Sequence, residues 1–185
     1  PNTQIEVDSI EDILKLKDIN IVKYHGSAGT EESFKNLSGK KPGIIHLATH
    51  GFYLQNSKGA NPYYPETALI RSGLILSNGG RAWSGEPIPL EVEDGILQAD
   101  EISKINLDGT SLLVMSACET ALGETSGDGI YGLQRAFKIS GVETIVMSLW
   151  KIDDKATSIF MIHFYNYLME YNDKYIAFTK AQAKL

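Results

Sequence analysis

Residues 111–117 read SLLVMSA and form a nearly continuous apolar run. A strand with one face in water alternates apolar and polar side chains, whereas a strand buried on both faces is apolar throughout. The run therefore predicts a strand inside a parallel sheet. Three other segments, at 19–24, 44–48 and 144–149, are short and apolar in the same way, and we predict strands there as well.

Helical patterns separate these strands. Apolar side chains recur every three or four positions in segments that predict helices over residues 9–17, 30–37, 128–140, 153–171 and 176–185. Strands that alternate with helices are typical of βαβ units, so we expect an α/β fold with a parallel sheet and helices on both faces. Residues 52–95 are rich in Gly, Pro, Asn and Ser, and we predict an irregular segment with one short hairpin strand at 74–76.

Length and composition narrow the class of protein. The 185 residues are 43% hydrophobic, which favours a single domain over 1–185 with one sizeable core. The net charge of −6 argues against a nucleic-acid partner, which needs a basic face, and suits either a cationic partner or solubility alone. The sequence has no apolar run long enough for a membrane span and no signal peptide at its start, so we expect a cytoplasmic protein with no membrane partner.

Cys118 is the only cysteine of the sequence. A lone thiol excludes an intrachain disulfide and a multi-cysteine zinc site, and it fits a reducing compartment. A single cysteine is usually a small buried hydrophobe, so a catalytic interpretation requires a histidine in a matching position.

His50 is that histidine. His50 and Cys118 each follow a predicted buried strand, at 44–48 and 111–117. The carboxyl ends of parallel strands meet at one sheet edge, and neighbouring strands are about 4.8 Å apart, so an imidazole there can take the proton of a thiol. Spacing alone leaves two interpretations open: a catalytic dyad, or a cysteine that only packs.

Gly51 adds a second candidate role to this edge. It has no side chain, so its N–H can approach a substrate carbonyl and form an oxyanion hole with the N–H of Cys118. The alternative is that Gly51 only makes a turn.

Two further matches, to a dinucleotide-binding motif and to a zinc-binding motif, are excluded by their spacing. Residues 127–132 match G-x-G-x-x-G, but the preceding predicted strand ends near residue 117, too early for a dinucleotide fingerprint, so we predict no cofactor. His46 and His50 have the spacing of a helical zinc motif, but along a strand they are roughly 13 Å apart at about 3.3 Å per residue. We therefore predict no metal site.

Two blocks resemble a known family. Residues 46–53 (HLATHGFY) and 116–124 (SACETALGE) are similar to the signature blocks of the CHAT domain, a caspase-like module often attached to TPR repeats. The likeness continues through residues 127–154 and spans nearly the whole chain. It implies a caspase-like three-layer sandwich around a mostly parallel sheet, with His50 as base and Cys118 as nucleophile.

The resemblance also implies a function and partners. It predicts a cysteine endopeptidase that acts on a protein or peptide substrate, with upstream TPR repeats or a regulatory partner. The alternative is a catalytically silent interaction or regulatory module of the same fold. Family members usually have one more strand at each end, so we expect the chain to be a piece of a longer protein that lacks the first and last strands.

Specificity is predicted from residues 149–154 (LWKIDD), which are similar to the LWxxxD block of separases. In that block an Asp pairs with a substrate arginine, and the matching residue is Asp154. The resemblance therefore implies an S1 pocket with Asp154, or its neighbour Asp153, and cleavage after a basic residue. The alternative is that one of these residues caps the following helix.

Overall fold

The structure is a computed structural model that describes residues 2–54, 68–89, 91–116, 127–148 and 153–185. Cys118 and the side chain of Asp154 lie outside the described residues. The chain divides into two compact units, Pro1–Lys23 with Ile152–Leu185, and Tyr24–Lys151. That residues 1–185 form one domain stays a prediction.

The described helices and strands are mostly short. In chain order they are α1 (Asn2–Lys15), α2 (Glu31–Lys35), β1 (Ile44–Leu47), β2 (His50–Tyr53), α3 (Ala68–Arg71), β3 (Ser72–Ile75), α4 (Gly79–Trp83), β4 (Ile96–Gln98), α5 (Ala99–Ile102), β5 (Leu112–Met115), α6 (Gly127–Ile139), β6 (Thr144–Met147), α7 (Asp154–Tyr171) and α8 (Lys174–Gln182). A turn of 3₁₀-helix, Gly26–Ala28, precedes α2. No helix among the described residues is long and apolar enough to cross a membrane.

A parallel sheet in the order β1-β5-β6 confirms three of the predicted strands. β5 lies in the middle, and every one of its residues is buried. Leu113 and Met115 face a core that includes Ile102 of α5 and Phe137 of α6. Leu112 and Val114 alternate with them and are 1% and 0% exposed. Burial on both faces explains why the β5 sequence is apolar at every position.

A second sheet corrects the prediction of an irregular segment at 52–95. β2, β3 and β4 form an antiparallel sheet in that order, and α3 and α4 also fall in this stretch. The predicted strand at 74–76 corresponds to β3, and Leu74 in its centre is fully buried. The prediction was wrong elsewhere in the described part of the segment because elements of four or five residues are too short to show a period.

The predicted strand at 19–24 was wrong. The structure has no helix or strand there, and Ile19, Val22 and Tyr24 are exposed. The Lys23 ammonium instead pairs with carboxylates of α1, at 2.8 Å from Glu11. β-branched composition favours a strand only where a neighbouring strand completes its hydrogen bonds, and no described strand pairs with this segment.

Local side-chain and backbone chemistry accounts for several helix ends. The Thr30 hydroxyl accepts a hydrogen bond from the Ser33 N–H at 3.1 Å and caps α2. α6 ends at Ile139, and Gly141 has a φ of +104°, the left-handed backbone at which glycine stops a helix. α1 begins seven residues before the predicted start at Ser9.

A cluster of charged side chains around the buried Glu31 ties α2 to the segment before β4. Glu31 is 2% exposed; its carboxylate lies 2.7 Å from the Lys35 ammonium and accepts a hydrogen bond from the Gly95 N–H at 3.1 Å. Lys35 also lies 2.9 Å from both Glu93 and Glu101. Burial raises the pKa of the Glu31 carboxyl despite the ion pair. Desolvation alone would lower the pKa of Lys35. The bonds to its three carboxylate partners outweigh this effect, so the pKa of Lys35 lies above its usual range.

Lys35→Met should therefore destabilise the protein in a pH-dependent way. The change leaves the Glu31 carboxylate buried without its cation, at a cost of about 2 kcal/mol at pH 7, a reduced figure because the Lys35 side chain is 29% exposed. Loss of the cation raises the pKa of Glu31 in the folded variant further. As the pH falls, Glu31 of the folded variant therefore takes up a proton, and the variant recovers part of the lost free energy of unfolding. Denaturant unfolding should thus show a larger loss, relative to wild type, at pH 7 than at pH 5.

The matched control is Lys104→Met. Lys104 forms an exposed i,i+4 ion pair with Asp100, which contributes about 0.5 kcal/mol or less. An equal loss for the two variants, or a Lys35→Met loss that grows toward pH 5, would contradict this account of the cluster.

Candidate active site

The register of β1 against β5 determines which residues leave the parallel sheet side by side. Ile44 pairs with Leu112 and Leu47 with Met115, a constant offset of 68 positions (112 − 44). His50 and Cys118 have the same offset (118 − 50), and each comes three residues after the last pair, Leu47 and Met115. The chain segments that carry the two predicted residues therefore start from neighbouring strand ends.

Hydrogen bonds beyond the strands hold this register at both ends. The Ser116 N–H donates to the Leu47 carbonyl at 2.9 Å and extends the ladder toward Cys118. At the other end, the Gly43 carbonyl accepts from the Ser111 N–H at 2.9 Å and from the Ser111 hydroxyl at 3.0 Å. A slip of the register would break all of these bonds.

His50 is the first residue of β2, and its side chain is exposed. Its Cα partner across the second sheet is Ile75 of β3. Within the described part of the chain, no side chain is hydrogen-bonded to the imidazole of His50, so the structure offers no third member of a triad there.

The backbone of Gly51 faces away from β3. The Leu54 N–H donates to the Arg71 carbonyl at 2.7 Å, in line with the β2–β3 register. In antiparallel pairs, hydrogen-bonded and non-hydrogen-bonded positions alternate, so Gly51, opposite Leu74, occupies a non-hydrogen-bonded position. Its N–H therefore points outward from the edge of this sheet, the orientation that an oxyanion donor requires.

Asp153 caps α7. One oxygen of its carboxylate accepts hydrogen bonds from the N–H groups of Lys155 and Ala156, at 3.0 and 3.1 Å. The capping interpretation is thus confirmed for Asp153, while its place in an S1 pocket stays a prediction. Asp154 is the first residue of the same helix, and its proposed contact with substrate is likewise untested.

Other predicted and missed residues complete the site. His46 lies on β1 opposite Val114, one residue before the strand ends at Leu47. No group of three or more His, Cys, Asp or Glu side chains lies close enough, among the described residues, to hold a metal ion. The sequence interpretation missed Thr49, the residue directly before His50. The Thr49 hydroxyl donates a hydrogen bond to the Ile75 carbonyl. A hydroxyl residue next to a candidate base is the signal that could have identified it.

Comparisons with known proteins show which family the sequence matches. The family model of the CHAT domain matches residues 1–185. Mouse tetratricopeptide repeat protein 28 is 30% identical over 74 residues, which cover 40% of this chain and 3% of that protein. The human protein of the same name is 26% identical over 157 residues, covering 78% of this chain and 6% of its own length. The chain thus spans a small part of these curated relatives.

Gly51 and Gly73 should respond differently to alanine. Among the described residues, a Cβ atom on Gly51 would meet the Gly73 carbonyl oxygen at 3.6 Å and Leu133 at 3.8 Å, which are ordinary contacts. On Gly73 it would lie 2.5 Å from the Leu97 carbonyl oxygen and 2.7 Å from the Phe52 ring. We expect Gly51→Ala to fold with near wild-type stability and Gly73→Ala to lose about 1–3 kcal/mol in denaturant unfolding.

The variants Gly51→Ala and Gly73→Ala distinguish an effect on packing from an effect on activity. A stable Gly51→Ala protein keeps the backbone N–H, so its activity tests whether a side chain here blocks the approach of a substrate carbonyl to that N–H. Severe unfolding of Gly51→Ala, or an unaffected Gly73→Ala, would show that the described packing between β2 and β3 is wrong.

Proposed function

Because the chain belongs to the CHAT-domain family, we propose that it is a cysteine endopeptidase with a caspase-like three-layer fold, in which His50 and Cys118 form the catalytic dyad. The observation that carries the proposal is the β1–β5 register, whose offset of 68 positions is shared by His50 and Cys118. The family match supports the fold, and the register supports the pairing of these two residues.

In the proposed reaction, the imidazole of His50 accepts the proton of the Cys118 thiol. The thiolate attacks the carbonyl carbon of the scissile peptide bond, and the carbonyl oxygen takes on negative charge. The amine then leaves with the proton that His50 holds, and an acyl-enzyme remains on the sulfur. A water molecule, deprotonated by His50, hydrolyses the thioester and regenerates the thiol.

The N–H groups of Gly51 and Cys118 stabilise the oxyanion in this proposal. The outward orientation of the Gly51 N–H supports its part, since a donor already bonded across the sheet could not serve. Such a donor contributes about 3–4 kcal/mol to the transition state of acyl transfer. The exposure of His50 supports access of a large substrate to the base. A reducing compartment such as the cytoplasm would keep Cys118 a thiol.

For substrate we propose a protein or peptide cleaved after Arg or Lys, with Asp154 in the S1 pocket. The resemblance of residues 149–154 to the separase block supports this, as does the net charge of −6, which favours a cationic ligand. Asp153 is already engaged at one oxygen by the helix cap, which makes Asp154 the better candidate. A carboxylate binds a guanidinium through two parallel hydrogen bonds and so fixes its direction.

For partners we propose TPR repeats in the same polypeptide or a separate regulatory protein. Two curated relatives are named for tetratricopeptide repeats, and the matched regions are small parts of them.

Cys118→Ala and His50→Ala should each abolish cleavage of a peptide library while the unfolding midpoint stays near that of wild type. The two residues of a dyad act as one unit, so either loss removes nearly the whole effect. His163→Ala is the control. His163 stacks on Tyr167 within α7, so the variant that lacks it should keep wild-type activity. Undiminished turnover by a folded Cys118→Ala protein would end the peptidase proposal. A wild-type protein with no turnover and no His50-dependent reactivity at Cys118 would favour the silent module.

Asp154→Ala and Asp153→Ala should separate specificity from capping. We expect Asp154→Ala to lower kcat/KM for Arg and Lys substrates about 100-fold, as loss of a desolvated charge partner does. Alkylation of Cys118 by iodoacetamide should not change. Asp153→Ala should instead lower stability by about 1 kcal/mol and keep the basic preference, since it removes the N-cap. A library that shows Asp or an apolar residue at P1 would contradict the pocket assignment and leave the dyad intact.

A further inference from the structure

We infer that Thr49 is the positioning residue of His50, in place of the third side chain that orients the base in a catalytic triad. The inference rests on the proposed dyad for its effect on turnover, but the contact itself is a feature of the described structure. The Thr49 hydroxyl donates to the Ile75 carbonyl.

The acceptor of this bond lies directly opposite the base. Ile75 is the Cα partner of His50, and the alternation fixed by the Leu54–Arg71 bond makes the His50–Ile75 pair a hydrogen-bonded one. The Ile75 carbonyl therefore receives the His50 N–H and the Thr49 hydroxyl together. Two donors from consecutive residues define the direction in which the chain enters β2, and with it the direction of the His50 side chain.

The Ile75 carbonyl is itself held at a rigid corner. The next residue, Leu76, donates its N–H to the Gly95 carbonyl at 2.7 Å, and its own carbonyl accepts from the Gly79 N–H at 3.0 Å. A Cβ atom on Gly79 would lie only 2.8 Å from the Ile75 side chain. Packing this close leaves the end of β3 little freedom to move, so it provides a fixed reference for Thr49.

This corner is also anchored to α2. The Gly95 N–H donates to the buried Glu31 carboxylate at 3.1 Å, and the Ser77 N–H donates to the Gly29 carbonyl at 2.9 Å, just before α2. Thr49 thus connects the base to a continuous set of bonds that ends in the interior of the unit. Within the described residues, no side chain is hydrogen-bonded to the imidazole ring of His50. The backbone contacts of Thr49 would orient the base instead.

The test compares Thr49→Val with Thr49→Ser. Valine keeps the shape and loses the donor, whereas serine keeps the donor. We expect Thr49→Val to lower kcat about tenfold with little change in KM, because a misplaced base slows proton transfer without weakening substrate binding. Thr49→Ser should restore most of kcat. Thr179→Val, which removes a hydroxyl-to-carbonyl bond of 3.0 Å within α8, controls for the general cost of such a loss.

A second readout does not depend on turnover. With isotope-labelled histidine, the imidazole signals of His50, assigned through His50→Ala, should shift or broaden in Thr49→Val and return to the wild-type position in Thr49→Ser. Unchanged His50 signals in a folded Thr49→Val protein would overturn the inference, whether or not the enzyme is active. If the signals respond but the wild-type protein neither cleaves peptides nor shows His50-dependent alkylation of Cys118, the proposed function fails and the positioning role stands.

Discussion

The pairing of β1 with β5 fixes the part of the structure that carries the candidate site. The two strands are parallel neighbours inside the sheet, and the apolar side chains of β5 are buried on both of its faces. A one-residue slip would turn each of these side chains to the opposite face and break the bonds at Gly43 and Ser116, so the register is strongly fixed. That register selects two chain segments to emerge together, one with His50 and the other with Cys118.

The second sheet adds orientation to this placement. β2 begins with His50 and lies against β3, whose carboxyl end is tied to Gly95 and through it to Glu31 and Lys35. The candidate site thus lies where a parallel ladder, which ends at Leu47 and Met115, is followed by an antiparallel hairpin that begins at His50. Buried charge is expensive, and the cluster around Lys35 is tolerated because each carboxylate has a cation or an N–H donor.

The sequence predicted the parts of the fold that depend on local pattern. Continuous apolar runs identified β1, β5 and β6, and apolar side chains at helical spacing identified α6 and α7. The second sheet could not be predicted, because its strands are of three or four residues and the burial of Leu74 depends on partners distant in sequence. The predicted strand at 19–24 was wrong for the opposite reason. Its composition is typical of a strand, but no described strand pairs with it. For the site, spacing left two interpretations open and the family resemblance made His50 and Cys118 the candidates, and their pairing stays a prediction. The contact of Thr49 with Ile75 required the hairpin register.

The pairing of His50 with Cys118 is tested by the rate at which iodoacetamide alkylates Cys118 at pH 7 in the wild-type protein and in His50→Ala. If the β1–β5 register brings the imidazole to the thiol, the base increases the thiolate fraction, and its removal should slow alkylation about tenfold or more in a protein that remains folded. Equal rates in the two proteins would show that His50 does not act on Cys118, and would contradict the account of the site given by the register.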